Sequence, residues 1–492
     1  MRKTPGTKAA HIRQRRRGAP AVASRPHTAP SAAARPRMPL SVVILAAGEG
    51  KRMHSALPKV LQPLAGRPLL KHVIDTARAL KPAAVHVVYG HGGEQVRGAL
   101  NDEGVSWIVQ QPRLGTGHAV LQAMPQIGAD QLVLVLYGDV PLISRTTLMQ
   151  LLALAGPRAL SLLTMRTADP GGYGRIVRDA RGRVVRIVEH QDANARELQL
   201  TECNTGVLAA PAALLRKWLA RLGNSNSQHE YYLTDIIAMA VKDKIPVRPL
   251  VAPTLTEVLG VNDKAQLGLL ESAWRQRAAQ ALMLAGVTVA DAARLDLRGT
   301  LTHGMDVFLD VNVVLAGRVI LGDGVRVGAG CVIRDSEIGA GTEVFAHCVI
   351  EDAAVGPGCL IGPFARLRPG ARLARGVHIG NFVEVKNARL GDESKANHLA
   401  YVGDCELGKR VNIGAGTIIA NYDGANKHRS VIGDDAHTGS NSVLVAPITV
   451  GAGATIGAGS TVTLAVPPGK LTVARARQQV IDGWRRPVKP RQ

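Results

Sequence analysis

The sequence predicts two architectures in one chain, a doubly wound α/β domain followed by a parallel β-helix of hexapeptide repeats. Three observations predict this order. Apolar runs alternate with helix-compatible stretches between residues 39 and 262. Beyond residue 300, aliphatic side chains recur at a six-residue period. Glycine is concentrated in the same part of the chain, since residues 301–470 hold 27 of the 53 glycines.

Three short apolar runs define the predicted parallel sheet. They are Val42–Leu45, Val85–Tyr89 and Leu132–Leu136. Continuous runs of this kind are typical of strands buried on both faces of a parallel sheet. Intervening stretches such as residues 69–80 are compatible with crossover helices. Because doubly wound sheets bind ligands at the carboxyl ends of their strands, the residues just after each run are candidates for a site.

One long helix is predicted over residues 263–285, between the two architectures. Asn262 is the expected N-cap and Gly286 the expected end. We therefore predict a domain at 39–262, this linker helix, and a second domain at 286–492. The apolar positions that recur at helical spacing are Leu267, Leu270, Trp274 and Leu282.

The repeat beyond residue 300 has the period of a parallel β-helix. One aliphatic side chain in each short strand points inward, and small residues occupy the turns. The interval between Ile413 and Ile432 is longer than a multiple of six, and residues 421–426 within it are predicted to form a loop outside the coil. The cleanest run, with members six residues apart, is Ile432, Thr438, Leu444, Val450, Ile456 and Val462.

The formal net charge of +22 is concentrated in the tails. Residues 1–37 carry +10 and residues 475–492 carry +5, which leaves +7 for the body of the chain. We predict that residues 1–38 form a disordered basic extension. Two interpretations of it remain open: a transit peptide, or a non-essential extension ahead of a functional start at Met38.

Composition excludes several classes of protein. No run of about 18 apolar residues occurs, so no membrane span is predicted. The five cysteines form no CxxC motif and no metal-ligand spacing, which favours a reducing compartment and a cytoplasmic protein. Because the positive charge lies in the tails, binding of nucleic acid is not expected, although a nucleic-acid or acidic-surface binder is kept as an alternative.

A glycine-rich turn, Gly48–Arg52, follows the first predicted strand. It lacks the Lys-Ser/Thr pair of a Walker A loop and the third glycine of a dinucleotide fingerprint. Backbone N–H groups in such a turn can approach an anion closely, and Arg52 and Lys59 add positive charge. An ordinary strand-to-helix turn is the alternative for this motif taken alone.

The string Leu45–Met53 followed by Pro58-Lys59 resembles the signature of nucleotide-sugar pyrophosphorylases. Together with the hexapeptide half, the chain resembles the bifunctional N-acetylglucosamine-1-phosphate uridyltransferase/glucosamine-1-phosphate acetyltransferase family over about residues 40–487. One departure is Lys51, where the signature usually has Thr. The further stretches that match in order are Tyr89–Gly93, Gln110, Leu114–His118, Tyr137–Leu142, Gly172–Ile176, Glu189-His190, Asn204–Gly206 and Gly260–Asn262.

The resemblance implies a site that joins UTP to N-acetylglucosamine-1-phosphate, with Asp139 and Asn262 binding Mg²⁺. One carboxylate and one amide suit Mg²⁺, which leaves its other positions to phosphates and water. A capping carboxylate and a helix N-cap are the alternatives for these two residues. The implied nucleotide- and sugar-binding residues are Leu45, Ala46, Ala47, Gly48, Arg52, Lys59, Gln110, Gly115, Thr116, Tyr137, Gly138, Asp139, Gly174, Glu189, Asn204 and Asn262.

The resemblance implies a second site, where acetyl-CoA acetylates glucosamine-1-phosphate with His398 as the base. An ammonium cannot attack a thioester, and imidazole titrates near neutral pH. His398 is predicted to lie in a break in the regular hexapeptides; a plain surface histidine is the alternative. Arg368, Lys386, Tyr401 and Asn412 are implied for the sugar phosphate, although Lys386 alone is also compatible with a solvated charge. The implied acetyl-CoA contacts are Ala415, Asn421, Tyr422, Ser440, Ala458 and Arg475.

The resemblance also implies a left-handed β-helix, a homotrimer and active sites between subunits. The expected partners are then small molecules: UTP, N-acetylglucosamine-1-phosphate, glucosamine-1-phosphate and acetyl-CoA, with Mg²⁺ as the cofactor. A related pyrophosphorylase with another nucleotide or sugar, whose second half is only an assembly scaffold, remains an alternative.

Overall fold

The computed structural model describes residues 38–90, 92–100 and 104–489. The predicted basic extension lies outside the described residues except for Met38, and His91 of the Tyr89–Gly93 motif lies outside them too. Within the described part of the chain, no helix is long and apolar enough to cross a membrane.

The first half of the chain alternates strands and helices, as its apolar runs predict. Its helices are α1 (Leu69–Ala79), α2 (Gly93–Ala99), α3 (Thr116–Ala123), α4 (Arg145–Leu154), α5 (Ala212–Leu219) and α6 (Asp235–Lys242). Short 3₁₀ turns lie at Lys51–Met53, Lys59–Leu61, Met124–Gln126, Glu197–Gln199 and Leu255–Glu257. Its strands are β1 (Leu40–Ala46), β2 (Pro63–Leu64), β3 (Arg67–Pro68), β4 (Ala84–Tyr89), β5 (Ser106–Val109), β6 (Leu132–Tyr137), β7 (Leu160–Arg166), β8 (Arg175–Arg178), β9 (Val184–Val188), β10 (Glu202–Pro211) and β11 (Val247–Val251).

Nine of these strands form one mixed sheet in the order β11-β7-β10-β6-β1-β4-β5, with β8 and β9 attached beside β10. Strands β5, β4, β1 and β6 are parallel to one another, and β10 runs antiparallel to β6 and β7. The three predicted strands are confirmed as parts of β1, β4 and β6. Strands β2 and β3 form a separate hairpin, strands β4 and β5 then extend the sheet on one side of β1, and β6 pairs with β1 on the other side. The carboxyl ends of β1 and β6 therefore meet at a topological switch point.

Strand β1 shows why the sheet is buried on both faces. Val42 and Ile44 pack into the apolar core that contains α1 and α4. Val43 and Leu45 pack into the opposite core, which contains α3, α5 and α6. Alternate residues of a strand point to opposite faces, so a continuous apolar run is needed for a strand covered by helices on both sides.

The predicted linker helix is present as α7 (Lys264–Leu284), and its N-cap is a correction to the sequence prediction. The cap is Asp263, whose carboxylate accepts a hydrogen bond from the Gln266 amide at 2.8 Å. Asn262 lies one residue earlier, and its own backbone N–H donates to the Gln266 side chain at 2.8 Å. The side chain of Asn262 is therefore not used as the cap.

The second half is a three-faced coil of short parallel strands, as the six-residue period predicts. Most successive coils are 17 or 18 residues apart: Arg326 pairs with Glu343, and Leu360 pairs with His378. A 3₁₀ turn, Ala292–Arg294, lies near its start. Face one consists of β12 (Thr288–Val289), β14 (Phe308–Leu309), β16 (Arg326–Val327), β19 (Glu343–Val344), β22 (Leu360–Ile361), β25 (His378–Asn381), β28 (Lys395–His398), β31 (Asn412–Ile413), β34 (His437–Thr438), β37 (Thr455–Ile456) and β39 (Leu471–Thr472).

Two long strands, β13 (Asp296–His303) and β15 (Val314–Leu321), begin the other two faces. Face two continues with β17 (Val332–Arg334), β20 (Val349–Glu351), β23 (Arg366–Leu367), β26 (Glu384–Lys386), β29 (Tyr401–Gly403), β32 (Ile418–Ala420), β35 (Val443–Val445) and β38 (Thr461–Val462). Face three continues with β18 (Glu337–Ile338), β21 (Ala354–Val355), β24 (Arg372–Leu373), β27 (Arg389–Leu390), β30 (Cys405–Leu407), β33 (Ser430–Ile432) and β36 (Thr449–Val450).

The interior of the coil is filled by the repeating aliphatic side chains. All six members of the run from Ile432 to Val462 are buried, and each coil rests on its neighbours. The five cysteines are free and buried. The one long interval is also confirmed: Asn412 pairs with His437, 25 residues on, because residues 421–428 form a loop between β32 and β33. The predicted fold class, a doubly wound α/β unit followed by a parallel β-helix, is therefore correct.

Candidate active sites

A cavity of about 380 Å³ opens at the switch point, where β1 and β6 end. The loop after β1 forms one wall, and the start of α3 forms another. Gln110 holds that second wall in place, since its buried amide donates to the Gly115 carbonyl at 3.0 Å. The residues that line this first cavity are Leu45, Ala46, Ala47, Gly48, Glu49, Lys59, Val60, Gln110, Arg113, Gly115, Thr116, Ala119, Tyr137, Asp139 and Glu230.

A second cavity of about 280 Å³ lies beside the first and shares four lining residues with it. The shared residues are Thr116, Tyr137, Asp139 and Glu230. The predicted sugar-binding residues Gly174, Glu189 and Asn204 all line this second cavity, as does Asn262. The border between the two cavities is therefore where a group from one ligand would meet a group from the other.

Two side-chain oxygens converge at this border. The Lys59 ammonium donates to Asp139 Oδ2 and lies 3.4 Å from Asn262 Oδ1. Both members of the Lys59–Asp139 pair are largely buried, so the carboxylate is stabilised by a fixed positive charge. One carboxylate oxygen and one amide oxygen are hard donors, so the chemistry of this pair fits a hard divalent cation. Among the described residues, no group of three or more His, Cys, Asp or Glu side chains could hold a metal ion.

Burial shifts the pKa of two groups in the second cavity. Desolvation raises the pKa of Glu189 above its ordinary value, although the Thr234 hydroxyl donates to Oε1 at 2.9 Å and opposes the shift. Desolvation, with the nearby carboxylates of Glu189 and Asp139, raises the pKa of Tyr137. Tyr137 therefore stays a neutral hydroxyl. Gly206 leaves room for its ring, because a Cβ at this left-handed position (φ 82°) would overlap the Tyr137 ring.

Two predicted residues of this site stand apart from the cavities. Arg52 is exposed and lines neither of them. Gly138 lines neither as well, but its N–H donates to the Leu45 carbonyl at 2.9 Å and ties the end of β1 to the turn after β6. The unusual Lys51 lies 3.5 Å from the Glu49 carboxylate and is mostly exposed.

Sequence reasoning missed Arg113 and Glu230 in the first cavity and Tyr173, Tyr232 and Thr234 in the second. Arg113 directly precedes the Leu114–His118 motif, so that motif was a usable signal. Tyr173 lies within the Gly172–Ile176 motif, so that motif was a usable signal as well. Glu230, Tyr232 and Thr234 lie outside the matched motifs, and only folding brings them to the cavities.

In the coil, the structure corrects the predicted surroundings of His398. The residue ends β28, a regular strand that pairs with β25 and β31, so it does not lie in a break in the repeat. His398 Nδ1 lies 3.0 Å from Asn381 Oδ1 on the preceding coil. Because an amide oxygen only accepts, Nδ1 carries the hydrogen, and the Nε2 lone pair is left to take a proton. Asn381 was not predicted.

The predicted acetyl-CoA contacts Ala415, Ser440 and Ala458 form one column of turns along the coil. The backbone N–H groups of consecutive turns join them, from Gly416 to the His398 carbonyl, from Asn441 to Ala415, and from Gly459 to Ser440. Arg475 closes the column by donating to the Ala458 carbonyl at 2.6 Å. His398 therefore lies at the head of a straight edge on which a long ligand could extend.

Most of the predicted sugar-phosphate residues lie on face two, beside that edge. Arg368 donates to Glu384 at 2.7 Å, and Lys386 lies 3.8 Å from a carboxylate oxygen of the buried Asp404. The Tyr401 hydroxyl lies 3.3 Å from the Asn421 amide. Asn412 is half-buried on face one, in the strand that follows β28. Glu384 and Asp404 were not predicted.

Tyr422 extends from the loop at 421–428 and is 60% exposed, with its hydroxyl donating to the Gly424 carbonyl at 2.6 Å. The loop is fixed by Asp423, which accepts from the Ala425 and Asn426 amides and from His428 Nε2. These contacts hold the pKa of Asp423 well below its ordinary value. The loop is therefore an ordered neighbour of the turn column.

The sheet with its switch-point cavities and the coil with its turn column define the class, a nucleotidyltransferase unit joined to a hexapeptide acyltransferase unit. Family models agree with both parts: a MobA-like NTP transferase domain matches residues 42–229, and the bacterial transferase hexapeptide model matches residues 301–335 and 429–463.

Curated relatives cover nearly the whole chain. "Bifunctional protein GlmU" of Aromatoleum aromaticum is 58% identical over 92% of this chain and 99% of its own length. The GlmU proteins of Azoarcus sp. and Stutzerimonas stutzeri are 58% and 56% identical over 92% of this chain and all of their own length. The chain belongs to the bifunctional GlmU family, which confirms the predicted resemblance.

Proposed function

We propose that the chain makes UDP-N-acetylglucosamine in two steps. The coil acetylates glucosamine-1-phosphate with acetyl-CoA, and the α/β unit then joins the product to UTP and releases pyrophosphate. Membership of the GlmU family supports both activities. The alternative of a pyrophosphorylase with a purely structural second half is disfavoured, because the coil carries its own polar site around His398.

The main support for uridylyl transfer in the α/β unit is the shared border of the two cavities. UTP would occupy the first cavity, and the sugar phosphate the second, so that its phosphate oxygen faces the α-phosphorus at Asp139 and Thr116. The attacking oxygen is already anionic, so no general base is needed. Catalysis then consists of positioning and charge neutralisation, and Lys59 supplies a fixed positive charge at the border.

Asp139 and Asn262 would hold Mg²⁺ at this border. When bound there, Mg²⁺ would supply positive charge that neutralises the phosphates of the substrates. The convergence of their oxygens on the Lys59 ammonium supports the assignment. The Lys59 ammonium contacts the Asp139 carboxylate and holds it in place at the border.

We expect Asp139→Ala to lower kcat/KM for uridylyl transfer about 100-fold or more, because an electrostatic contact to the reacting phosphates is lost. Acetyl transfer by the same preparation should be unchanged, since His398 lies in the other half of the chain. Separate steady-state assays of the two steps measure this. Uridylyl transfer at the wild-type rate would refute the assignment of Asp139.

The main support for acetyl transfer in the coil is the position of His398 at the head of the turn column. With Nδ1 held by Asn381, Nε2 can take a proton from the ammonium group of glucosamine-1-phosphate, which leaves a neutral amine. The amine attacks the thioester carbon and the C–S bond breaks. The nitrogen loses its second proton to the departing CoA thiolate, so that the products are the amide and the CoA thiol. Arg368 and Lys386 would bind the sugar phosphate, and the column from Ala415 to Arg475 would bind acetyl-CoA, with its phosphates near Arg475.

His398→Ala should lose about 100-fold or more of the acetyl-transfer rate, the usual contribution of a general base. Uridylyl transfer from N-acetylglucosamine-1-phosphate serves as the internal control and should persist. Loss of both activities to the same extent would mean that the variant misfolds, and Asn381→Ala, which leaves the imidazole in place, would then be assayed for the same selective loss.

We also propose that the chain acts in the cytoplasm as a homotrimer. Five free, buried thiols suit a reducing compartment.

An exposed row of apolar side chains supports the trimer. It runs along the coil edge that leads to His398, with Phe364 48%, Phe382 56% and Leu399 61% exposed and the two phenylalanine rings stacked at 5.4 Å. Exposed patches of this kind mark contacts between proteins. Sedimentation equilibrium should give three times 51.9 kDa, and a monomer mass would refute the trimer.

A further inference from the structure

Asp404 is a buried carboxylate that none of the predicted sites uses. It directly follows β29 and is only 5% exposed. Its Oδ1 accepts from the Asn387 amide at 2.6 Å, and its Oδ2 accepts from the Asn421 amide. The Lys386 ammonium lies 3.8 Å from the same Oδ2. A carboxylate is costly to bury unless it is paired, so these contacts explain how Asp404 is tolerated but not why it is there.

The partners of Asp404 belong to two different substrates in the proposed function. Lys386 is assigned to the phosphate of glucosamine-1-phosphate, and Asn421 is assigned to acetyl-CoA. Asn421 is itself 7% exposed, and its amide nitrogen contacts both Asp404 and the Tyr401 hydroxyl. With the amide hydrogens engaged, its carbonyl oxygen is the group left for a ligand. One oxygen of Asp404 thus touches a residue of each subsite.

We propose that Asp404 is a positioning residue that couples the two acetyl-transfer subsites. Its carboxylate orients the Lys386 ammonium toward the sugar phosphate and the Asn421 amide toward acetyl-CoA. Both subsites are therefore held in their binding geometry by the same side chain. The inference rests on the proposed acetyl transfer and on the roles given there to Lys386 and Asn421.

The geometry supplies a conservative variant and a matched control. Asp404 lies in a left-handed turn (φ 49°), which Asn also tolerates. Asp404→Asn therefore keeps the turn but removes the charge and sets an amide donor against the amide of Asn387 or Asn421. Asp352 takes the same backbone position after β20, three coils earlier, with φ 43°, but its side chain is exposed, and it does not pair with a proposed substrate residue in the described part of the chain. Asp352→Asn is the control.

The test measures acetyl transfer with both substrates varied, and uridylyl transfer on the same preparations. For Asp404→Asn we expect KM to rise for glucosamine-1-phosphate and for acetyl-CoA together, with kcat/KM about 10- to 100-fold lower, as for a lost hydrogen bond to a charged group. Uridylyl transfer, and both activities of Asp352→Asn, should equal those of the wild type. In a Lys386→Met background, Asp404→Asn should no longer affect KM for glucosamine-1-phosphate but should still raise KM for acetyl-CoA.

Other results overturn the inference. Wild-type acetyl kinetics in Asp404→Asn would show that the carboxylate is not needed, and a rise in KM for one substrate alone would remove the coupling. A parallel fall in both activities and in Tm would assign Asp404 to stability only. If the wild-type chain itself transfers no acetyl group, the proposed function has failed, and that outcome is separate from these.

Discussion

At the scale of single residues, the first site is centred on one ammonium group between two oxygens, since Lys59 donates to Asp139 Oδ2 and lies 3.4 Å from Asn262 Oδ1. Asp139 and Asn262 are predicted from motifs that lie far apart in the chain. That the Lys59 ammonium lies between them follows only from the sheet, which brings the ends of β1 and β6 together. Arg52 shows the opposite case, since its place in the glycine-rich motif did not bring it to a cavity.

Glu189 shows that a buried carboxylate in a binding site can lower the stability of the folded protein. Because burial raises its pKa, the folded protein favours the protonated acid, so ionisation of Glu189 costs folding free energy once the pH exceeds the ordinary range of a glutamate. Glu189→Gln removes this cost and keeps an oxygen that can accept from Thr234. We expect a higher Tm than that of the wild type at pH 7 and a smaller gain near pH 4, measured by thermal unfolding.

The same variant should lose function. A neutral amide binds a sugar hydroxyl less strongly than a carboxylate does, so uridylyl transfer should fall about tenfold. Acetyl transfer is the control and should not change. If the Tm difference between the variant and the wild type is the same at both pH values, ionisation of Glu189 does not lower the stability of the folded protein.

At the scale of elements, helix α7 fixes the position of a site residue. The sequence prediction placed the N-cap at Asn262, one residue before the residue that caps the helix. In the fold, Asp263 caps the helix and Gln266 binds the Asn262 backbone, which leaves the Asn262 side chain free to face Asp139 and Lys59. The cap and the site therefore use adjacent residues for different purposes.

Asp263→Ala should cost about 1 kcal/mol of stability, the usual value of a lost N-cap. Because Asn262 directly precedes this cap, uridylyl transfer should also weaken, whereas acetyl transfer should not. Asp291→Ala is the matched control, since Asp291 caps the Ala292–Arg294 turn through its own carboxylate, far from the cavities. It should lower stability without a selective loss of uridylyl transfer; equal effects of the two variants on that reaction would contradict the account.

At the scale of the whole molecule, composition and period predicted both architectures correctly. The coil was recognisable because the inward-pointing position of nearly every short strand carries Ile, Leu or Val. The predicted break in the repeat at His398 was wrong for the same reason. The interior position of its strand is Ala396, which is fully buried and stacked between Ile379 and Ile413, so the aliphatic pattern seemed to stop where the coil continues. A small residue such as Ala396 can fill an interior position of the coil, but it does not stand out in the sequence as a member of the aliphatic repeat.

The central claim is that one chain holds two separate active sites that act in sequence. The most direct test supplies glucosamine-1-phosphate, acetyl-CoA, UTP and Mg²⁺ to Asp139→Ala, to His398→Ala and to a mixture of the two, and measures UDP-N-acetylglucosamine. We predict little product from either variant alone and near wild-type product from the mixture, because each variant completes the step that the other lacks. Full synthesis by one variant alone, or none by the mixture, would contradict the claim.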